Sequence, residues 1–450
     1  MNNRKVKNRV KTIFKYIGLA IASIIATLVI SLAVLLYGPF HQLRDLYVIT
    51  MMETSAAKFM ATWFLSDATI EEIYANNRLE VVDEPTDPSL VSIAVTTAPT
   101  STSTPPTLPS ETTTEPTTSA TVTEPPLSSS ERRTSAVTEP PETTPPETTP
   151  SETTTIETTE ATTVTTVDPL VTKESAPDEL FANHPDAMHE TDGLDGLQLV
   201  KVSGTSFTGY MLVISDPSRV HLGVSISIMN NYKFGWNNSY GEQLRSMVSR
   251  TGAVAAINGG AFYDPDGQGN GGRPDGALCV DGNLLYWGPE VENDEAEESA
   301  KREWRGDKVN IIGINNENIL VLGRFTKDEF LKQGFRDAVS FDNPDPPFLV
   351  INGKASTVVG TGGSGIQPRT CIGQRADGAF LFLVIDGRGA GGSLGATQKE
   401  AMNLLLEFGA VNAANLDGGS SSEMIINGVT ISNPCSIYGP RFMPDGFLVR

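Results

Sequence analysis

From Val95 to Val167 the chain carries no aromatic residue and no glycine, and it repeats Pro-Glu-Thr-Thr, as at Pro141–Thr144 and Pro146–Thr149. Such a stretch cannot bury enough apolar surface to offset the entropy of ordering its backbone. Whatever folds must lie on either side of it. Proline and like-charged glutamates favour extended conformations, so residues 95–167 are expected to form a disordered spacer reaching up to roughly 200 Å. A Thr/Pro-rich composition of this kind also suits O-glycosylation.

Upstream, Ile17 to Tyr37 is almost continuously apolar and uncharged, long enough as a helix to cross a bilayer. Arg4, Lys5, Lys7, Arg9, Lys11 and Lys15 precede it, whereas Arg44 and Asp45 cancel after it. The positive-inside rule makes residues 1–16 a cytoplasmic basic tail, 17–37 a transmembrane signal anchor, and everything beyond extracellular. Tyr37-Gly38-Pro39-Phe40 lacks the small-x-small pattern of a cleaved signal peptide. Residues 38–94, with Leu46, Val48, Ile49, Phe59, Trp63, Phe64 and Leu65 among polar positions, read as short amphipathic helices that lie on the membrane surface or pair with another chain.

Globular composition returns after the spacer, and residues 180–450 are long enough to bury a sizeable core. The net charge of −21 opposes binding to nucleic acid, and no Lys/Arg stripe offsets it. Cys279, Cys371 and Cys435 stand at no metal-ligand spacing and are expected to be buried thiols. Apolar runs end in Asp281-Gly282, Asn352-Gly353 and Asn427-Gly428, each a hairpin signal. Thr397 and Glu400 form a capping box for a helix that Gly409 stops, and a second helix is expected from Glu242 to Arg250, closed by Gly252. The fold class is therefore α+β: mixed or antiparallel sheets with a few helices, preceded by one transmembrane helix and a disordered stalk.

Each of the two helices leads through a glycine into a buried strand that ends in a polar residue and paired glycines: Asn258-Gly259-Gly260 and Asp417-Gly418-Gly419. Glycine pairs at strand ends admit a ligand or another backbone. Either segment alone reads as an ordinary turn, but two of them in one domain point to a shared site. Arg369-Thr370 and Asp386-Gly387-Arg388 add guanidinium and carboxylate groups at strand ends, suited to an anionic or hydroxylated ligand.

Asn258-Gly259-Gly260-Ala261-Phe262, Pro274 and Gly276, Pro368 to Gly373, Asp386-Gly387-Arg388, and Asn415 to Ser421 stand in the order seen in the phosphodiester glycosidases. The segment from about 195 to 450 resembles this NAGPA-type domain, which occurs in bacterial exopolysaccharide-biosynthesis-type proteins and in N-acetylglucosamine-1-phosphodiester alpha-N-acetylglucosaminidase. The resemblance implies a hydrolase acting on a sugar-1-phosphate diester of a surface or environmental glycan. It implies Asp386 and Asp417 as catalytic residues. Asn258, Gly259, Gly260, Arg369, Thr370, Arg388, Gly418, Gly419 and Ser420 would bind substrate, with Arg369 and Arg388 on the phosphate. The alternative is a non-catalytic glycan-binding or envelope-assembly protein that keeps the pocket without turnover.

No cofactor is required by these motifs. Asp264, Asp266, Asn270 and Asp275 partly mimic a calcium loop, but Gln268 and Asp275 replace its usual ligands, and a glycine loop lining the substrate is favoured. Ser420 to Ser422 have no histidine near in sequence to serve as base, so they are read as donors or turn residues. The acidic run Glu290 to Glu298 is read as a solvated loop. With the basic flank on the N-terminal side alone, protease added to intact cells is expected to release the C-terminal domain by cutting the spacer. Cleavage only after lysis would reverse the orientation.

Overall fold

The hydrophobic alternation of one strand organises the domain. In Phe380–Ile385 every residue is apolar. Phe380, Phe382 and Val384 enter one core, while Leu381, Leu383 and Ile385 enter another. A strand covered on both faces has no place for a polar residue, which is why the run is unbroken. The computed structural model describes residues 2–93, 187–188, 196–232, 239–264, 269–289, 308–341, 346–436 and 439–450. The spacer, the acidic run Glu290 to Glu298 and Asp266 lie outside them.

Phe380–Ile385 belongs to an eight-stranded sheet, between Arg369–Arg375 and Thr208–Ile214; Ala410–Asn415 flanks Arg369–Arg375 on its other side. A five-stranded sheet contains Met424–Ile426, Ala255–Asn258 and Asp445–Val449 as successive neighbours. A second five-stranded sheet centres on Phe335–Ser340, between Val309–Asn315 and Ala277–Val280. These pairings are antiparallel, as the hairpin signals require. The first two sheets share a core in which Phe382 and Phe447 meet at 6.3 Å between ring centroids. The helix Gln398–Glu407 covers the opposite face of the large sheet with Met402, Leu405 and Phe408.

Local chemistry explains the connections. Asp281-Gly282, Asn352-Gly353 and Asn427-Gly428 all take positive φ at both residues and close hairpins, the geometry that suits right-handed strand twist. Thr397 and Glu400 form the reciprocal capping box. The second helix runs Leu244–Thr251, two residues later than expected at its start, and ends at Gly252 with φ 69°. Cys279 and Cys371 are buried thiols, whereas Cys435 is only partly covered.

At the N-terminus, Lys11–Tyr37 is an apolar helix long enough to cross a membrane. The helices His41–Met52, Phe59–Thr62 and Asp67–Ala75 follow. Leu36 packs with Val48, Ile49, Ala61, Ile70 and Ile73, so the amphipathic faces cover one another and the foot of the long helix. Beyond them Arg78–Glu80 pairs with Thr357–Val359. Leu79 enters the core beside Leu381, Val91 joins the core of the second five-stranded sheet, and Thr86 exchanges hydrogen bonds of 2.9 Å with Leu322. Met1–Val95 and Pro169–Arg450 thus form one compact unit.

Truncating Leu79, buried in that joint core, should cost about 2–5 kcal/mol, the usual range for Leu→Ala in a packed interior. A denaturation midpoint of the full chain that Leu79→Ala leaves unmoved would show the membrane-proximal segment to be an appendage.

Candidate active site

Asn258 is the last residue of the strand Ala255–Asn258 and is fully buried. Its Nδ2 donates to the Asp417 carbonyl at 2.6 Å, and its Oδ1 accepts from Thr370 Oγ1 at 2.7 Å and from the Glu423 amide at 3.1 Å. The Asp417 amide in turn donates to the Gly259 carbonyl at 3.1 Å. The two glycine motifs therefore meet backbone to backbone, pinned by one amide side chain.

Their glycines serve different purposes. A Cβ at Gly259 would fall 2.1 Å from Asp445 Oδ1, and one at Gly260 would fall 2.8 Å from the Ser340 carbonyl. This pair makes room for a buried carboxyl and a neighbouring strand. A Cβ at Gly419, where φ is +60°, would meet the Arg388 guanidinium at 3.1 Å. Arg388 itself has φ 52°, a left-handed conformation that costs a non-glycine residue about 1–2 kcal/mol.

One cavity of about 180 Å³ lies beside these groups, and Arg369, Arg388, Asp417, Gly418, Gly419 and Ser420 all line it. Asn258, Gly259, Gly260, Thr370 and Asp386 stand behind its wall. Asp386 lies at the end of the central strand, but both its carboxylate oxygens accept from Asn433, from the backbone amide at 2.7 Å and from Nδ2 at 2.6 Å. A larger cavity of about 420 Å³ adjoins Asp83, Glu84, Lys308 and Arg324. Glu84 there is paired with Lys354 and Lys308 with Glu329, and none of the sequence motifs reaches it.

The small cavity is lined by both cationic and acidic side chains. Arg369, buried to 2% exposure, gives Nε to the Ala396 carbonyl at 3.0 Å and Nη2 to the Ser364 and Gly365 carbonyls at 3.1 and 2.8 Å. Burial pulls its pKa down to about 10, against the attraction of Cys371 and Glu53, so it remains a cation at neutral pH. Asp417 is pushed up to about 6, chiefly by burial and further by Asp264, while Ser421, Arg441 and the Gly418 amide oppose the shift. Behind it Asp445, whose Oδ1 accepts from the Gly260 amide at 2.8 Å, is pushed up to about 7 by burial and by Asp417. A cavity lined by guanidinium groups and by a carboxyl whose pKa is raised to about 6 can hold an anion and move a proton.

Sequence reasoning missed several of these groups. Asp445 follows Pro444 and precedes Gly446, a local signal that could have marked it. Gln398, first in its helix, lines the cavity with a buried Oε1 that has no hydrogen-bond partner among the described residues; the capping box points to its position but not to its direction. Glu53 also lines the cavity, and nothing near it in sequence announces this. Of the calcium candidates, Asp264 lines the cavity, accepts from the Gly269 amide and pairs with Arg441 at 2.8 Å. Asn270 Oδ1 accepts from the Gly272 amide at 2.9 Å, and Asp275 is buried. Among the described residues no three carboxylate, histidine or cysteine groups stand together as a metal site. A guanidinium on Asp264 suits a cation poorly.

Residues 251–450 match the family model described as phosphodiester glycosidase, NAGPA. A curated relative, the SPbeta prophage-derived uncharacterized protein YomE of Bacillus subtilis (strain 168), is 34% identical over 109 residues. That match covers 24% of this chain and 16% of the relative, so the chain spans only a small part of its length. Among solved structures, the catalytic domain of zebrafish N-acetylglucosamine-1-phosphodiester alpha-N-acetylglucosaminidase is similar at 19% identity and a TM-score of 0.41, covering 59% of this chain and 86% of that one. A hypothetical protein from Synechocystis is similar at 16% identity and a TM-score of 0.36, covering 57% and 62%.

Asp445 holds its proton more tightly folded than unfolded, with a folded value of about 7 against an ordinary 3.8. Its contribution to stability is complete below the unfolded value and is lost as pH rises through about 7. Asp445→Asn keeps an acceptor for Gly260 and should flatten the fall in unfolding free energy between acid and neutral pH. An unchanged pH slope would place the ionised form in the native state.

Proposed function

We propose that this protein hydrolyses a sugar-1-phosphate diester at the glycosidic bond. Its substrate would be a surface or environmental glycan, outside the membrane to which the N-terminal helix anchors it. The observation that carries this reading is that Arg369, Arg388 and Asp417 line one cavity. The family match over residues 251–450 supports the same reaction class.

Two guanidinium groups supply donors that fit a phosphate. As the bond from the anomeric carbon to the phosphate oxygen breaks, its electron pair moves onto that oxygen, where the arginines balance the added charge. The sugar becomes oxocarbenium-like and faces Asp417, which as a carboxylate stabilises it and accepts the proton of the attacking water. Gln398 and Ser420 offer polar atoms for sugar hydroxyls. The basic N-terminal flank supports an extracellular domain.

The test is release of free sugar from methyl diesters of a panel of hexose-1-phosphates by the full chain in detergent. Asp417→Asn is expected to lower turnover about 10²–10⁴-fold, the range for loss of an acid-base group. In the wild type, kcat/KM should fall as pH drops below about 6, because Asp417 must be ionised to act as base. Turnover retained in Asp417→Asn would exclude this role, and binding of the diesters without turnover in the wild type would favour the glycan-binding alternative.

A further inference from the structure

Glu53 lies nearly 200 residues before the segment that carries the family match. It directly follows the helix His41–Met52, yet it lines the same cavity as Arg369, Arg388 and Asp417. Its carbonyl oxygen accepts from Arg388 Nη2 at 3.3 Å, and its Oε1 accepts from Tyr74 Oη at 2.9 Å. The placement is built rather than incidental. Thr50 Oγ1, one turn earlier, accepts from the Ile366 amide at 3.0 Å, and a Cβ at Gly365 would come within 2.7 Å of the Thr50 backbone. Asn77 Oδ1 accepts from the Thr361 amide at 2.7 Å, while Asn77 Nδ2 donates to Asp45 Oδ2 at 3.1 Å. The loop that receives Thr50 also supplies the Ser364 and Gly365 carbonyls that hold Arg369. One short loop therefore fixes both the phosphate-end arginine and the helix that carries Glu53.

The charges around Glu53 define its use. Tyr74 and Lys58 face it from its own segment, and Arg369 and Arg388 face it from the domain. Asp264 and Asp417 line the remainder of the cavity. Asp386 is engaged by Asn433, and Asp264 is paired with Arg441. Glu53 and Asp417 are thus the two cavity carboxyls without a salt-bridge partner of their own in the site's described contacts. An ionised Glu53 beside a bound phosphate would repel it, whereas the neutral acid would donate a hydrogen bond to it. Burial raises the pKa of Glu53, against the hydroxyl of Tyr74 and the cations of Arg369, Lys58 and Arg388.

We propose that Glu53 is the second carboxyl of the active site, a proton donor at its phosphate end that the membrane-proximal segment supplies to the domain. This rests on the diester-hydrolysis reading above. The water oxygen bonds to the anomeric carbon while the bond from that carbon to the phosphate oxygen breaks. The electron pair and the Glu53 proton go to that phosphate oxygen, and the water proton goes to Asp417. Solvent then returns a proton to Glu53 as Asp417 releases one. Two carboxyls with divided roles give a bell-shaped pH profile, with Asp417 on the acid limb and Glu53 on the alkaline limb.

The experiment uses the full chain in detergent as wild type, Glu53→Gln and Tyr74→Phe, with melting curves to verify folding. It has two readouts: the pH profile of kcat/KM on the hexose-1-phosphate methyl diesters, and the affinity for dimethyl phosphate, whose charge is constant from pH 5 to pH 8. Glu53→Gln is expected to lower kcat/KM about a hundredfold and to abolish the alkaline limb. Tyr74→Phe removes a donor that favours the ionised form, so the alkaline limb should move to higher pH. Dimethyl phosphate should bind wild type and Glu53→Gln alike at pH 5, and should bind the variant about tenfold more tightly at pH 8. Increased turnover in Glu53→Gln, or an equal affinity gain at both pH values, would make Glu53 an inhibitory plug and overturn the proposal. Unchanged turnover and affinity in Glu53→Gln would overturn it as well. If the wild type hydrolyses none of the diesters, the functional reading fails, and the affinity comparison still decides whether Glu53 carries a proton at an anion site.

Discussion

The arrangement of the site depends on one buried amide. Asn258 must satisfy both ends of its side chain away from water, and it does so with groups from three other strand ends: Thr370, Asp417 and Glu423. A buried polar network of this kind is favourable only when every member is paired. Satisfying Asn258 therefore fixes where strand ends of the five-stranded sheet meet strand ends of the eight-stranded sheet. The cavity lies at that junction because the strands of both sheets stop there and give way to glycine turns.

The glycines at the junction are spent on protein as much as on ligand. Gly259 and Gly260 give room to Asp445 and to the strand through Ser340, and Gly419 gives room to Arg388. The consequence is electrostatic. Burial above all keeps both Asp417 and Asp445 readier to hold a proton than free aspartate, with Asp264 adding to the shift of Asp417 and Asp417 adding to that of Asp445. Three backbone carbonyls hold the Arg369 guanidinium, which keeps its charge at neutral pH although burial lowers its pKa to about 10.

The membrane-proximal segment belongs to this construction. Leu79 and Val91 complete cores of the domain, Arg78–Glu80 forms a two-stranded sheet with Thr357–Val359, and the helix before Glu53 docks on the loop that holds Arg369. A chain cut at the compositional boundary near residue 180 would lose apolar side chains and polar partners together. Composition marks where ordered packing becomes impossible, and it does not mark which ordered pieces pack together.

Much of the local structure was legible in the sequence because its causes span only a few residues. Asn-Gly and Asp-Gly pairs produced hairpins through their tolerance of positive φ, Thr397 and Glu400 capped their helix, and the uncharged run before Tyr37 formed a membrane-length helix. The site residues were legible only as a set. Asp386 and Asp417 both follow apolar strands and precede glycine, so they look equivalent in sequence, yet one faces Asn433 and the other the cavity. Glu53 reaches the site from 335 positions before Arg388. Which way a strand-end carboxylate turns depends on sheet register, on the twist between sheets and on partners distant in the chain, and those are settled only when the whole fold closes.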